Sequence, residues 1–213
     1  MSTCDYRYQS GNVRFECVEP VHNIDYLKHN TYEKHKEEVA NRFKGKLAEY
    51  SSKEEPFKFI GYCLPDISFK DEEFSKEIYF NDATFYGKAD FSNAKFSEEA
   101  HFNAAKFFKG ATFSEAKFSG AAYFTEAKFS DTAWFYEVEF AGAAYFTEAK
   151  LRKASYFYTA KFCEVTYFHS AKFYADADFS RDTFSKNVNF TDSLFSVSAN
   201  FFNVAFMDEA YFE

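Results

Sequence analysis

The chain has 213 residues, 46% of them apolar, and a formal charge of −8. That is core enough for one domain, or one domain with a small appendage. No run approaches the roughly 18 to 20 consecutive apolar residues of a membrane helix, and the opening MSTCDYRYQSGNVR has no apolar signal core. A cytoplasmic protein without a membrane segment is expected. Cys4, Cys17, Cys63 and Cys163 are too few and too scattered for a disulfide framework. After residue 68 acids outnumber bases 22 to 15, against 11 to 10 before it. That balance disfavours direct nucleic-acid binding through a basic face.

Residues 1–30 read as a small header. Cys4, Cys17, His22 and His29 are spaced C-x12-C-x4-H-x6-H, four side chains of the kind tetrahedral zinc takes, at a spacing looser than a standard finger. Residues 31–59 read as a capping helix and linker. Val39, Phe43 and Leu47 fall four apart with Ala40 and Tyr50 beside them, which is one amphipathic helical face. Phe57 to Pro65 would then lead into the segment that follows.

From Phe69 onward an 11-residue period carries two large apolar positions per unit. One series runs Phe69, Phe80, Phe91 and onward to Phe212; the other runs Phe74, Phe85, Phe96 and onward to Phe206. Of these 27 positions 26 are Phe, and the remaining one is Leu151. Two residues before each, from Ala83 to Ala210, stands Ala at 17 of 24 positions, and the exceptions include Asp182. The unit is Ala-x-Phe-x-x-Ala-x-Phe-x-x-x.

A helical coiled coil with this period fails on angles. At about 100° per residue the second Phe lies about 140° from the first, with the Ala positions at about 160° and 300°, so no seam forms. In an extended segment Ala and Phe share one side and x points to the other. Short strands joined by corners follow, with Gly87, Gly110, Gly120 and Gly142 in the three-residue corners, where positive φ is expected.

This pattern resembles the pentapeptide-repeat family, whose unit is a small residue, a polar residue, a central Leu or Phe and two more polar residues. The resemblance covers residues 60–213 and implies a right-handed quadrilateral parallel β-helix, an all-β solenoid with an N-terminal helical cap. One added residue in every second corner makes about 22 residues per coil, hence about 6.5 coils and a rod about 31 Å long at the strand spacing of a sheet. Some repeat proteins of this type carry a zinc-binding header ending in Tyr-Cys-x-x-His. Here Tyr26-Leu27-Lys28-His29 has Leu27 in place of that Cys, so structural zinc requires His22 to substitute, and a degenerate header is the other reading.

The x positions point outward. Before the second Phe they hold Lys95, Lys106, Lys117, Lys128, Glu139, Lys150, Lys161 and Lys172, and before the first Phe they include His101, Tyr123, Trp134, Tyr145, Tyr156 and Tyr167. Glu115, Glu126, Glu137 and Glu148 are placed to neutralise neighbouring Lys. The surface serves either as a solubilising coat or as an interaction patch, formed by Tyr123, Tyr145 and Tyr167 or, opposite, by Trp134 and Tyr156. No nucleophile–His–acid arrangement, phosphate loop or HExxH occurs, so a non-enzymatic scaffold is expected. The resemblance also implies an alternative, a DNA-mimicking regulator of a type II topoisomerase, and a homodimer joined end to end through the C-terminal coil.

Overall fold

The computed structural model describes residues 30–212. Helix α1, Asn30–Ser51, is followed by 29 two-residue strands in four parallel sheets. Successive strands visit the sheets in turn, so every fourth strand returns to the same one. Sheet 1 contains Phe57–Lys58, Ile78–Tyr79, Ala100–His101, Ala122–Tyr123, Ala144–Tyr145 and Thr166–Tyr167. Sheet 2 contains Cys63–Leu64, Lys106–Phe107, Lys128–Phe129 and Lys150–Leu151. Sheet 3 contains Ala111–Thr112, Ala133–Trp134 and Ser155–Tyr156, and sheet 4 Lys95–Phe96, Lys117–Phe118 and Glu139–Phe140. The result is a quadrilateral solenoid of about seven coils, with sheets 1 and 3 on opposite sides and sheets 2 and 4 on the other two.

The register explains the 22-residue coil: Ala100 pairs with Ala122, and Phe107 with Phe129. The first coil is shorter. Phe57 pairs with Ile78 and Cys63 with Thr84, 21 residues apart, whereas Ile67 pairs with Ala89. The missing residue belongs to the Pro65–Asp66 corner. Asp66 sits so close under Gly87 that a Cβ there would collide with the Asp66 backbone nitrogen, while Lys88 N donates to Asp66 Oδ1 at 2.7 Å.

The core is a lattice of phenylalanine rings. Within a column they lie face to face, as Phe102 and Phe124 do at 4.9 Å and 2°. Between columns they meet edge-on, as Phe102 and Phe113 do at 5.4 Å and 85°. Both geometries suit the ring quadrupole. Inward Ala residues such as Ala100, Ala122 and Ala144 are fully buried, because rings from the facing sides leave room for a methyl only. Leu151 interrupts one column between Phe129 and Phe173.

The two-residue corners are β-turns: Ala94 N donates to Phe91 O and Ala105 N to Phe102 O, each at 3.1 Å. The residue two after the first Phe has positive φ in every unit, from Asp71 (61°) through Thr159 (57°) to Asn203 (58°). This overturns the expectation about the glycines. Among the described glycines only Gly61 has positive φ. Gly120 and Gly142 are glycine because adjacent coils touch there: a Cβ on Gly142 would fall 2.5 Å from the carbonyl carbon of Gly120. Gly110 likewise leaves space for Trp134, whose Cζ3 would be 2.7 Å away.

Helix α1 covers the open end of the first coil. Phe43 is buried with its ring 4.6 Å from Phe59 and 5.6 Å from Phe69, and Ala40, Leu47 and Tyr50 pack beside it. A solenoid end exposes a cross-section of core that must be covered. The helix stops where Ser51 Oγ and Ser52 Oγ donate to the carbonyls of Leu47 and Glu49, and Lys76 Nζ reaches from the solenoid to the Tyr50 carbonyl at 3.0 Å. Orphan carbonyls are thereby satisfied and the cap is fastened to the end of the first coil.

Candidate functional site

The outward positions divide into chemically distinct faces. On sheets 1 and 3 the residue before the first Phe takes one of two roles. Where it is Asp or Asn it accepts a bond from the backbone two residues on, as Asp90 Oδ1 does from Ser92 N (2.9 Å) and Asn189 Oδ1 from Thr191 N (2.7 Å), closing an Asx turn over the corner. On sheet 1, from Tyr79 to Tyr167, it is aromatic and stacks on its neighbours in register.

Sheet 1 carries such a stack through five successive coils. Tyr79 and His101 are 4.4 Å apart at 3°, His101 and Tyr123 4.7 Å at 3°, Tyr123 and Tyr145 4.9 Å at 4°, and Tyr145 and Tyr167 5.2 Å at 8°. The structure thus brings Tyr123, Tyr145 and Tyr167 together as the sequence suggested, and adds Tyr79 and His101. His101 already stood in the aromatic series at the same 22-residue spacing, but Tyr79 lies before the first Ala-bearing unit, where Ile78 takes the small position. Trp134 and Tyr156 are register partners on sheet 3. Their rings form no stack; Trp134 leans over Gly110 one coil earlier.

Acidic groups border the sheet 1 stack. Tyr79 Oη donates to Glu77 Oε2 at 2.6 Å, and that bond, with some burial, pushes the phenol up to about 12. His101 Nε2 lies 3.1 Å from Glu99 Oε2. Burial between the two tyrosine rings nevertheless holds its pKa below the usual histidine value, against the pull of Glu99 and Glu77. Burial also raises Tyr123. Burial thus favours the neutral forms of His101 and Tyr123 within an aromatic stripe that has a polar rim.

Sheets 2 and 4 carry the lysines. On sheet 2, Lys106, Lys128, Lys150 and Lys172 are consecutive register partners. On sheet 4 the column is mixed in sign: Glu73 pairs with Lys95, Lys95 with Lys117, Lys117 with Glu139, and Glu139 with Lys161. Neutralisation by Glu115, Glu126, Glu137 and Glu148, as the sequence suggested, does not occur. These four hold the positive-φ corner position, and among the described residues the Lys–carboxylate ion pairs are Lys46–Glu49 and Lys53–Glu49, at the end of α1.

Asp182 occupies an inward Ala position with no solvent exposure. Ala160 N donates to its Oδ1 at 2.8 Å, and its Oδ2 is buried without a partner. Desolvation pushes its pKa up to about 10, so the carboxyl is protonated at neutral pH. Cys63 is disulfide-bonded, and Cys163 is a free thiol raised by burial. Cys4, Cys17, His22 and His29 also lie outside the described residues, among which no cluster of three or more metal-binding side chains occurs. No helix among the described residues is long and apolar enough to cross a membrane.

No curated protein and no solved structure matches the chain. The family described as pentapeptide repeats (9 copies) matches residues 69–116 and 102–150, the part that holds Tyr79 to Tyr145 of the sheet 1 stack and most of the sheet 2 lysines. Repeat signature and four-sided coil agree: residues 69–150 carry pentapeptide repeats, and they lie within a quadrilateral parallel β-helix.

Proposed function

We propose that the chain is a non-enzymatic scaffold that engages a protein partner through its outward ladders, with sheet 1 as the principal contact. The supporting observation is the unbroken stack Tyr79–His101–Tyr123–Tyr145–Tyr167. Five parallel rings held by backbone register are pre-ordered, so docking onto them costs little side-chain entropy, and tyrosine is favoured in interface cores. Trp134 and Tyr156 form a smaller aromatic area on the opposite side.

The test compares capture from cell extract by the intact chain, by Tyr145→Ser/Tyr167→Ser and by Trp134→Ser/Tyr156→Ser, each with unchanged thermal stability. A protein retained by the intact chain and the sheet 3 variant but lost with the sheet 1 variant supports the reading. Equal capture by all three removes it.

The last coil offers a second contact. Phe202, Met207 and Phe212 are 69%, 70% and 51% exposed, and Phe206 is 37% exposed, a contiguous apolar end that a second copy would cover by end-to-end pairing. Light scattering over a concentration series, with Phe206→Glu as the disrupting variant, decides between dimer and monomer. DNA mimicry is the weaker alternative, because a mimic needs continuous negative potential and the lysine ladder of sheet 2 has the opposite sign. Inhibition of a type II topoisomerase in a supercoiling assay would restore it.

A further inference from the structure

We infer that sheet 2 is a second, separate docking face, which takes an extended acidic segment of a partner protein along Lys106, Lys128, Lys150 and Lys172. Parallel register stacks these four lysines directly above one another, about 4.8 Å apart. Like charges in direct cross-strand register destabilise a sheet. Among the described residues none of the four ammonium groups makes an ion pair or hydrogen bond, and sheet 4 of the same solenoid, after stacking Lys95 on Lys117, breaks its lysine column with Glu139. The fold therefore accommodates alternating charge at this position, and sheet 2 leaves its positive column without internal compensation.

The surroundings define the partner's shape. Exposed Glu126 and Glu148 form the corners on one flank, two residues before Lys128 and Lys150, while on the other exposed Lys109, Arg152 and Lys153 add positive charge that half-buried Asp131, in the coil between, only partly offsets. A broad polyanion such as duplex nucleic acid or an anionic membrane would press on the glutamates as well as the lysines. A single extended chain can follow the strip alone. Its alternate side chains recur about every 6.8 Å on one side, and four lysines span about 14 Å, so two or three carboxylates face the column, within reach of flexible lysine side chains.

The probe is a fluorescein-labelled octaglutamate peptide, titrated with the full chain and read by fluorescence anisotropy at low and at physiological ionic strength. The comparison variants are Lys128→Gln/Lys150→Gln on sheet 2 and Lys117→Gln/Lys161→Gln on sheet 4, with far-UV circular dichroism verifying that both fold. The expected result is saturable binding, weakened at least ten-fold by the sheet 2 pair and less than two-fold by the sheet 4 pair. No binding by the folded full chain, or equal weakening by both pairs, overturns the proposal. So does tighter sheet 2-dependent binding of a DNA duplex or of vesicles containing phosphatidylserine, which would assign the face to a different partner class. A Tyr145→Ser/Tyr167→Ser variant should bind the peptide normally, which keeps this face distinct from the sheet 1 stack.

Discussion

Asp182 lies one coil above Ala160 and accepts its backbone N–H through Oδ1, while Oδ2 faces the core with no partner. The Ala160 N–H also donates to the Phe157 carbonyl at 2.8 Å, so the carboxyl supplies an interaction that the turn does not require. Its folded-state pKa, about 10, lies well above the roughly 3.9 of an unfolded chain. The folded protein thus holds a proton that the unfolded chain releases, and stability falls as pH rises between those values. Asp182→Ala should stabilise the protein at neutral pH. The gain should grow with pH by up to about 1.4 kcal/mol per unit between about pH 4 and pH 10. Denaturant midpoints of both proteins at pH 5, 7 and 9 check this, and parallel curves would refute it.

Phe129 stacks on Phe107 at 4.7 Å and meets Phe135 edge-on at 5.8 Å. Removing the ring leaves a cavity that parallel backbones, fixed by hydrogen bonds on both sides, cannot collapse to fill. Phe129→Ala should cost about 3–5 kcal/mol, read from the shift in urea unfolding.

Two glycines predict opposite outcomes for the same substitution. At Gly142 an added methyl meets backbone of Gly120 at 2.5 Å, and backbone in a coil stack cannot step aside. Gly142→Ala should destabilise by about 1–3 kcal/mol or more, as overpacking does. At Gly45, in α1, nothing lies within 4 Å. Gly45→Ala should gain about 0.5–1 kcal/mol from helix propensity. Melting temperatures of the two variants moving in the same direction would contradict this account.

Thr159 is a β-branched residue at φ 57°, in a position held by Asp or Asn in several other coils. Left-handed backbone is costly for branched side chains and mild for Asn. Thr159→Asn should therefore raise stability by about 0.5–1 kcal/mol, whereas Asn93→Thr at φ 56° should lower it by a similar amount. Thermal unfolding of the reciprocal pair checks the sign at both sites.

The sequence by itself determined the coil. The Ala-x-Phe unit, repeated every 11 residues without a gap, admits one arrangement in which every ring is inside and every x outside, so strands, the four-sided cross-section and the two lysine sides were all legible. The amphipathic spacing of Phe43 and Leu47 likewise located the cap. What sits against what across coils was decided only by tertiary structure. Residues 22 apart touch along the axis, so the role of Gly142 depends on Gly120, and that of Gly87 on a corner one residue short at Pro65–Asp66. Positive φ falls at Glu115 and Glu126 rather than at glycine because the two-residue turn imposes it on whatever residue stands there. The aromatic stripe begins at Tyr79, a unit earlier than the alanine pattern marks, since ring stacking follows backbone register rather than the small residue beside it.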